Sequence, residues 1–479
     1  MSKEYKDFYA AHVAEMQNRW SAALDAENLQ AVLVHSGTPL ISFQDDYEYA
    51  FRPNPHFLAW LPLTRHHDSA LLVRPGRKPC IFYYQPEDFW YLAPADPESW
   101  WADHFEIQLG NAADGWRTGL LSQLNELSFG IRDVAAIGDA PSLAATFEND
   151  RINPEGLVNR LQVERTRKTP YEIACMREAS QLAARAHLEA ENAFREGESE
   201  LRIHQRYLGA CEQTDAQLPY NNIVALNTHG SVLHYQGRDV AVPGTVRSFL
   251  IDAGCTVNAY ASDITRTYAA RDGAGQEDGF AELVAAMDTM QQGLNEVVRA
   301  GLDYRDLHLQ AHREIAGILE SFGIINVPAD DAVASGLSSV FYPHGLGHFI
   351  GLQTHDVSGL TDNEGRAIPR PEGHPFLRLT RVLEAGNVLT IEPGLYFIEP
   401  LLQQWKENGD ASAVNWDRVE ALKPYGGIRI EDNLVVTETG SDNLTRKAFA
   451  ELEERPWARP RHPKLFGPKG PLTETSIVG

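Results

Sequence analysis

Five residues in the second half of the chain constrain its fold most: Asp252, Asp263, His348, Glu392 and Glu431, each carried by a short strand-like or glycine-bearing segment. Gathering the four acids at one point costs several kcal/mol of like-charge repulsion and desolvation unless cations or protons neutralise them. Together the five read as a ligand set for two divalent ions. The ligands are oxygen-rich with one nitrogen and no thiolate, which suits manganese or a similar ion better than a structural zinc site. Hydrolysis is the chemistry such a centre serves.

The 479-residue length and a composition 43% hydrophobic with nine Trp allow two or more domains with ample core. A formal charge of -24 opposes binding to nucleic acid or anionic membrane surfaces, since both require the protein to bring positive charge to phosphates. Cys80, Cys175, Cys211 and Cys255 are scattered and form no C-x-x-C pair, so buried free thiols are expected. The N-terminal MSKEYKDFYAAHVAEMQNRW mixes charges with apolar residues at helical spacing, unlike a signal peptide, and no run of eighteen apolar residues occurs. A cytoplasmic location is expected.

Helical spacing from Tyr5 to about Asn28 precedes the strand-like AVLVHS, SALLVRP and PCIFYY, which predicts a smaller α/β domain over 1–160. The aromatic stretch Phe89–Trp101 reads either as a partner surface or, more plainly, as a loop pinned by its rings to the core or a subunit interface. At Thr169-Pro170-Tyr171-Glu172 a capping threonine, a proline suited to the first helical position and a Glu at N3 predict a helix running to about Gly197. Two more helices are expected over 279–300 and 304–322, closed by Gly301 and Gly323. The second domain is placed over 161–450 and a proline-rich basic tail over 451–479.

SFLIDAGCTVNAYASDITRTY reads as a hairpin with its turn near Val257-Asn258, which sets Asp252 directly opposite Asp263. His344 and His348 stand four apart, but Gly345 and Gly347 make a helix expensive, so an extended segment with both imidazoles on one face is expected. His355 is near enough in sequence to return to the same pocket. The glycines do not form a phosphate cradle, because no strand-to-helix unit or P-loop lysine accompanies them. Glu392 and Glu431 close strand-like segments. Arg429 shares a strand face with Glu431, where it either meets an anionic substrate group bidentately or pairs with one of the acids.

The ordered series IDAG, SDITRTY, HGLGHFIGLQTHD, TIEPG and GIRIEDN resembles the metallopeptidases of the pita-bread fold. FRPNPHFLAWLP, TPYEIACMREA, PYNNIVALN and PEGHPFLR extend the likeness to the proteobacterial Xaa-Pro dipeptidases, a subgroup including organophosphorus acid anhydrolases, over all but the tail. The resemblance implies an α/β N-terminal domain and an α+β C-terminal domain with a curved, mostly antiparallel sheet. It implies that Asp252 binds one metal, that Asp263 and Glu431 bridge two, and that His348 and Glu392 complete the second, with Mn2+ as the expected ion. The implied reaction is hydrolysis of the Xaa-Pro bond of a dipeptide by a hydroxide shared between the ions, with phosphotriester hydrolysis as a side activity. Glu392 is the expected proton relay, His355 the oxyanion donor and His344 an orienting residue. His234, Arg429, Tyr220 and Asp46 are the expected substrate contacts, Asp46 from a loop that closes a partner's pocket in a homodimer. Two alternatives stay open: an aminopeptidase P acting on longer peptides, and a silent peptide-binding relative.

Overall fold

A computed structural model describes residues 4–127, 130–270 and 278–454. The proline-rich tail therefore lies outside the described residues from 455 onward, and the helix Leu444–Glu454 occupies the start of the span assigned to it.

The first half is built on a five-stranded mixed sheet in the order Glu106–Gly110, Cys80–Tyr84, Ala70–Val73, Ala31–His35, Val134–Ile137. Its central strands are apolar on both faces because helices cover both. Val32, Val34, Leu71, Val73 and Ile81 face the helix Tyr5–Ala26, whereas Ala31, Leu33, Leu72 and Phe82 face Trp116, Leu120 and Leu124 of Gly115–Leu127.

The aromatic stretch divides in two. Trp101 is buried, as a pinning ring should be, whereas Phe89, Trp90 and Leu92 are 87%, 77% and 98% exposed, so the core does not hold them.

The helix Pro170–Arg195 opens as the sequence dictates. Thr169 Oγ1 accepts from the Glu172 amide at 3.4 Å, and Glu172 Oε2 accepts from the Thr169 amide at 2.7 Å. Its stripe of Ala183, Ala186, Ala190 and Ala193 packs against Val224, Leu226, Phe249 and Ile251 of the strands. Small side chains let helix and sheet approach closely.

Four short antiparallel sheets follow among the described residues: Ile223–Leu226, Ser248–Asp252 and Thr265–Ala269; Val388–Ile391, Asp432–Val436 and Ser441–Asn443; the pair Gly394–Tyr396 with Gly427–Arg429; and the pair Thr256–Val257 with Tyr260–Ala261. The isolated bridge Thr265–Glu431 ties the first sheet to the segment that leads into Asp432–Val436, and Phe349–Leu389 ties the irregular segment around His348 to the second. On the far side the helices Phe280–Val297 and Tyr304–Ser321 contribute Met287, Leu294, Leu307 and Ile315 to a core with Leu389, Ile391, Ile428 and Leu434. Strands thus lie between helical layers, and the polar ends of several strands meet at one place.

The hairpin register differs from the expected one. Asp252 pairs with Thr265, and Thr256 with Ala261, so the turn falls on Asn258-Ala259 and not Val257-Asn258. Both turn residues are left-handed, with φ 50 and 71. Asp263 consequently stands diagonal to Asp252, level with Gly254, whose missing Cβ leaves room for the Ser262 carbonyl. The two acids still share a face, since diagonal partners lie only about 7–8 Å apart.

Candidate metal centre

Each ligand candidate leaves regular structure where it faces the others. Asp252 is the last residue of its strand, Asp263 and Glu431 sit at breaks between strand segments, and Glu392 directly follows Ile391. His348 lies in an irregular segment whose Gly347 abuts the Thr390 carbonyl and the Tyr304 hydroxyl, with no space for a Cβ. Ligand atoms of Asp263, His348 and Glu431 all lie within 4.8 Å of one another, and His348 Nε2 is 3.5 Å from Asp263 Oδ2 and 3.3 Å from Glu392 Oε1. Asp252 reaches the group through Arg429, whose Nη2 donates to its Oδ2 at 2.7 Å.

The surroundings orient these groups. His348 Nδ1 donates to the Phe349 carbonyl at 3.0 Å, which orients the ring and turns Nε2 toward the acids. Asn433 holds Asp263 from both sides of its backbone, accepting from its amide at 2.8 Å and donating to its carbonyl at 2.6 Å. Thr265 Oγ1 donates to Glu431 Oε2 at 2.7 Å, and Thr390 Oγ1 donates to Glu392 Oε1 at 3.3 Å.

Two carboxylate oxygens, Asp252 Oδ1 and Glu431 Oε1, are buried with no hydrogen-bond partner. Unpartnered buried carboxylate oxygens are costly, and cations would satisfy them. The protonation balance agrees. Burial, then the Asp252 charge, pushes the Asp263 carboxyl up to about 8. Burial and the charges of Asp263, Glu392 and Asp252 push Glu431 well above the carboxylate range. Burial also raises Glu392, but the hydrogen bond and charge of His348, with His344 and Arg429, outweigh it and hold the carboxyl down to about 2. His348 is raised, because its Glu392 hydrogen bond and the Glu392 and Asp263 charges overcome burial. Protein protons thus partly stand in for cations, and the donor set fits divalent metal.

The centre opens into a cavity of about 2400 Å³ lined from both halves of the chain. His355 lines it with its ring 4.4 Å from that of His348, and burial followed by the His348 charge brings its pKa down to about 4, so it is neutral at pH 7. His234 and Tyr220 also line the cavity; the buried Tyr220 hydroxyl is raised by burial and by the charges of Asp252, Asp263 and Glu431. His344 does share the cavity with His348, but on an irregular segment, not a strand. Asp46 is exposed and is not among the residues lining this chain's own cavity.

Arg429 is 5% exposed and engaged inside the protein: besides Asp252 it donates Nη1 to the Tyr396 hydroxyl at 2.9 Å and Nε to Thr265 Oγ1 at 3.2 Å. Tyr396 in turn donates to His344 Nε2 at 2.8 Å, while His344 Nδ1 donates to the Gly345 carbonyl at 2.9 Å. Of its two sequence readings, pairing with an acid is the geometry observed. Sequence reasoning missed Tyr396, Asn433, Thr265 and Thr390. Asn433 is legible in hindsight as the same-face neighbour two residues beyond Glu431.

Residues 174–438 match the family profile described as "Metallopeptidase family M24", and residues 7–163 match "Xaa-Pro dipeptidase, N-terminal domain".

The chain belongs to metallopeptidase family M24.

Within the family it is similar to the Xaa-Pro dipeptidase of Xanthomonas campestris pv. campestris (strain 8004), 47% identical over 444 residues, 92% of this chain and 98% of that protein. The Xaa-Pro dipeptidase of Stenotrophomonas maltophilia (strain R551-3) is 46% identical over 443 residues, 92% and 97% of the two chains. Escherichia coli aminopeptidase P, solved with the inhibitor Pro-Leu, shares the fold at a TM-score of 0.65 and 24% identity, over 93% of this chain and 98% of that one. The M24 pita-bread architecture is therefore the fold of this metallopeptidase, as the motif series implies.

Proposed function

We propose that this metallopeptidase is an Xaa-Pro dipeptidase with two divalent ions, most suitably Mn2+, held by Asp252, Asp263, His348, Glu392 and Glu431. The observation that carries it is the convergence of these five on the cavity with two unpartnered carboxylate oxygens, in a chain 46% and 47% identical over 92% of its length to Xaa-Pro dipeptidases. Four carboxylates formally balance two divalent ions.

Ions bound there would supply Lewis acidity, lowering the pKa of water and polarising the substrate carbonyl. The protein's own groups do the rest. Neutral His355 offers an N–H to the oxygen that gains charge as the amide carbon becomes tetrahedral. Glu392 carries the proton from the attacking water to the departing prolyl nitrogen. A prolyl amide has no N–H, so recognition falls on the ring and the carboxylate, with His234 and Tyr220 placed to contribute. His344, both nitrogens engaged, positions Tyr396 and Arg429.

The breadth of the cavity favours a second reading, aminopeptidase P activity on longer peptides. Ala-Pro and Ala-Pro-Ala, assayed with Mn2+ after chelation, separate the two. Cleavage of Ala-Pro alone supports the dipeptidase, preference for Ala-Pro-Ala supports the alternative, and no metal-dependent cleavage of either refutes both. Phosphotriester hydrolysis at the same centre is a side reaction that paraoxon would report. Closure of the cavity by the Asp46 loop of a second copy would narrow it to dipeptides.

A further inference from the structure

Beside the Tyr342 ring, which also packs against His344 of the cavity, three histidines meet. His308 and His312 stand four apart on one face of the helix Tyr304–Ser321, each 1% exposed. His374 approaches them from the loop Pro371–Leu377. Ring centroids are 4.8 Å apart for His308–His312, 4.7 Å for His308–His374 and 4.4 Å for His312–His374. One ligand nitrogen from each lies within 4.8 Å of the other two.

The hydrogen bonds define the available nitrogens. His308 Nε2 and His374 Nδ1 face each other at 3.0 Å and share one proton. His312 Nδ1 is held by Ser338 Oγ at 3.0 Å, which orients the ring and leaves Nε2 for a ligand. Nitrogens about 2.0–2.1 Å from a tetrahedral zinc stand roughly 3.4 Å apart, so the existing spacing needs little movement. All three rings are kept neutral, the form that binds metal. Burial, followed by the neighbouring imidazoles, brings His308 down to about 2 and His312 to about 3, and burial lowers His374. No carboxylate is among the three, which separates this cluster chemically from the acid centre.

We propose that His308, His312 and His374 form a second metal site, selective for an imidazole-preferring ion such as Zn2+, which pins the loop Pro371–Leu377 to the helix Tyr304–Ser321. Neutral imidazoles suit zinc, nickel or copper, whereas the carboxylate-rich centre suits manganese, so the two sites sort ions by ligand type. The bound ion takes the place of the proton between His308 and His374; that proton moves to His308 Nδ1, which has no hydrogen-bond partner, so both rings stay neutral. Because Pro375 and Phe376 line the cavity, the pinned loop becomes a fixed wall.

The test is zinc content and zinc-dependent stability of the full chain with Mn2+ saturating the acid centre. Wild type should hold one Zn2+ per chain beyond the Mn2+ and melt higher with it. His374→Ala and the conservative His374→Gln should lose that equivalent and the shift while keeping Mn2+-dependent hydrolysis. A second arm uses Asp252→Asn/Asp263→Asn/Glu431→Gln, in which the acid centre is disabled. Zinc should still bind there, and adding His374→Ala should abolish it. Equal zinc content with and without His374, or a zinc-free wild type, overturns the proposal whatever the fate of hydrolysis.

Discussion

Replacing Arg429 with alanine separates two roles that a kinetic constant alone would confuse. The side chain is 5% exposed and donates to Asp252, Tyr396 and Thr265 at 2.7, 2.9 and 3.2 Å. Its loss strips Asp252 of that partner when Oδ1 already has none, and removes the donor that sets Tyr396 against His344. Breaking a buried ion pair from one side costs about 3–5 kcal/mol. If half of that falls on the geometry of Asp252 in the transition state, the rate loss is on the order of 10- to 100-fold, at about 1.4 kcal/mol per decade. Kinetics on Ala-Pro and on its methyl ester should show kcat falling by a similar factor for both, with weaker metal binding. Arg429→Lys should recover part of the loss by restoring a charge to Asp252. A rise in KM confined to the free acid, with kcat unchanged, would show Arg429 holding the substrate carboxylate and refute this reasoning.

Other outcomes follow from the same geometry. Asp263→Asn should abolish turnover and reduce Mn2+ stoichiometry; full activity with a single equivalent would sink the two-metal reading. Metal-free protein should lose stability as pH rises from about 4 to about 8, because Asp263, raised to about 8, binds a proton in the folded state that the unfolded chain has released. Thermal melts with chelator at pH 5 and pH 8 check this, and Mn2+ should flatten the difference. Asp356, buried between Arg165 Nη2 at 2.5 Å and Lys168 Nζ at 2.8 Å, should cost about 3–5 kcal/mol when changed to alanine, measured by urea unfolding; a loss below 1 kcal/mol would contradict its pairing. Gly347→Ala should remove activity while leaving Cys80–Tyr84 and its sheet intact, since the added Cβ meets the Thr390 carbonyl beneath His348.

The start of Pro170–Arg195 was legible because a capping box is a local device, complete in four residues. That the candidate acids would converge was legible because acids at the ends of apolar strands have few other uses. The hairpin register was not, because Ala259 adopts a left-handed turn conformation that its side chain disfavours. Nor was the Arg429–Tyr396–His344 chain, which joins three segments distant in sequence. The exposed rings at Phe89–Leu92 show the same limit: aromatic content announces a contact without saying whether its partner is in the same chain.

The threonine that opens Pro170–Arg195 has a second partner. His12, on the first helix of the chain, donates Nε2 to the Ala59 carbonyl at 2.8 Å and receives the Thr169 hydroxyl at Nδ1, also at 2.8 Å. Around this link Tyr9, Tyr171 and Tyr260 pack in one apolar cluster drawn from both halves. The N-terminal half is thus a brace for the catalytic half and not a detachable module. A fragment beginning at Thr169 would keep its capping box but lose the His12 contact and leave an aromatic face uncovered, so the two halves should melt in a single calorimetric transition.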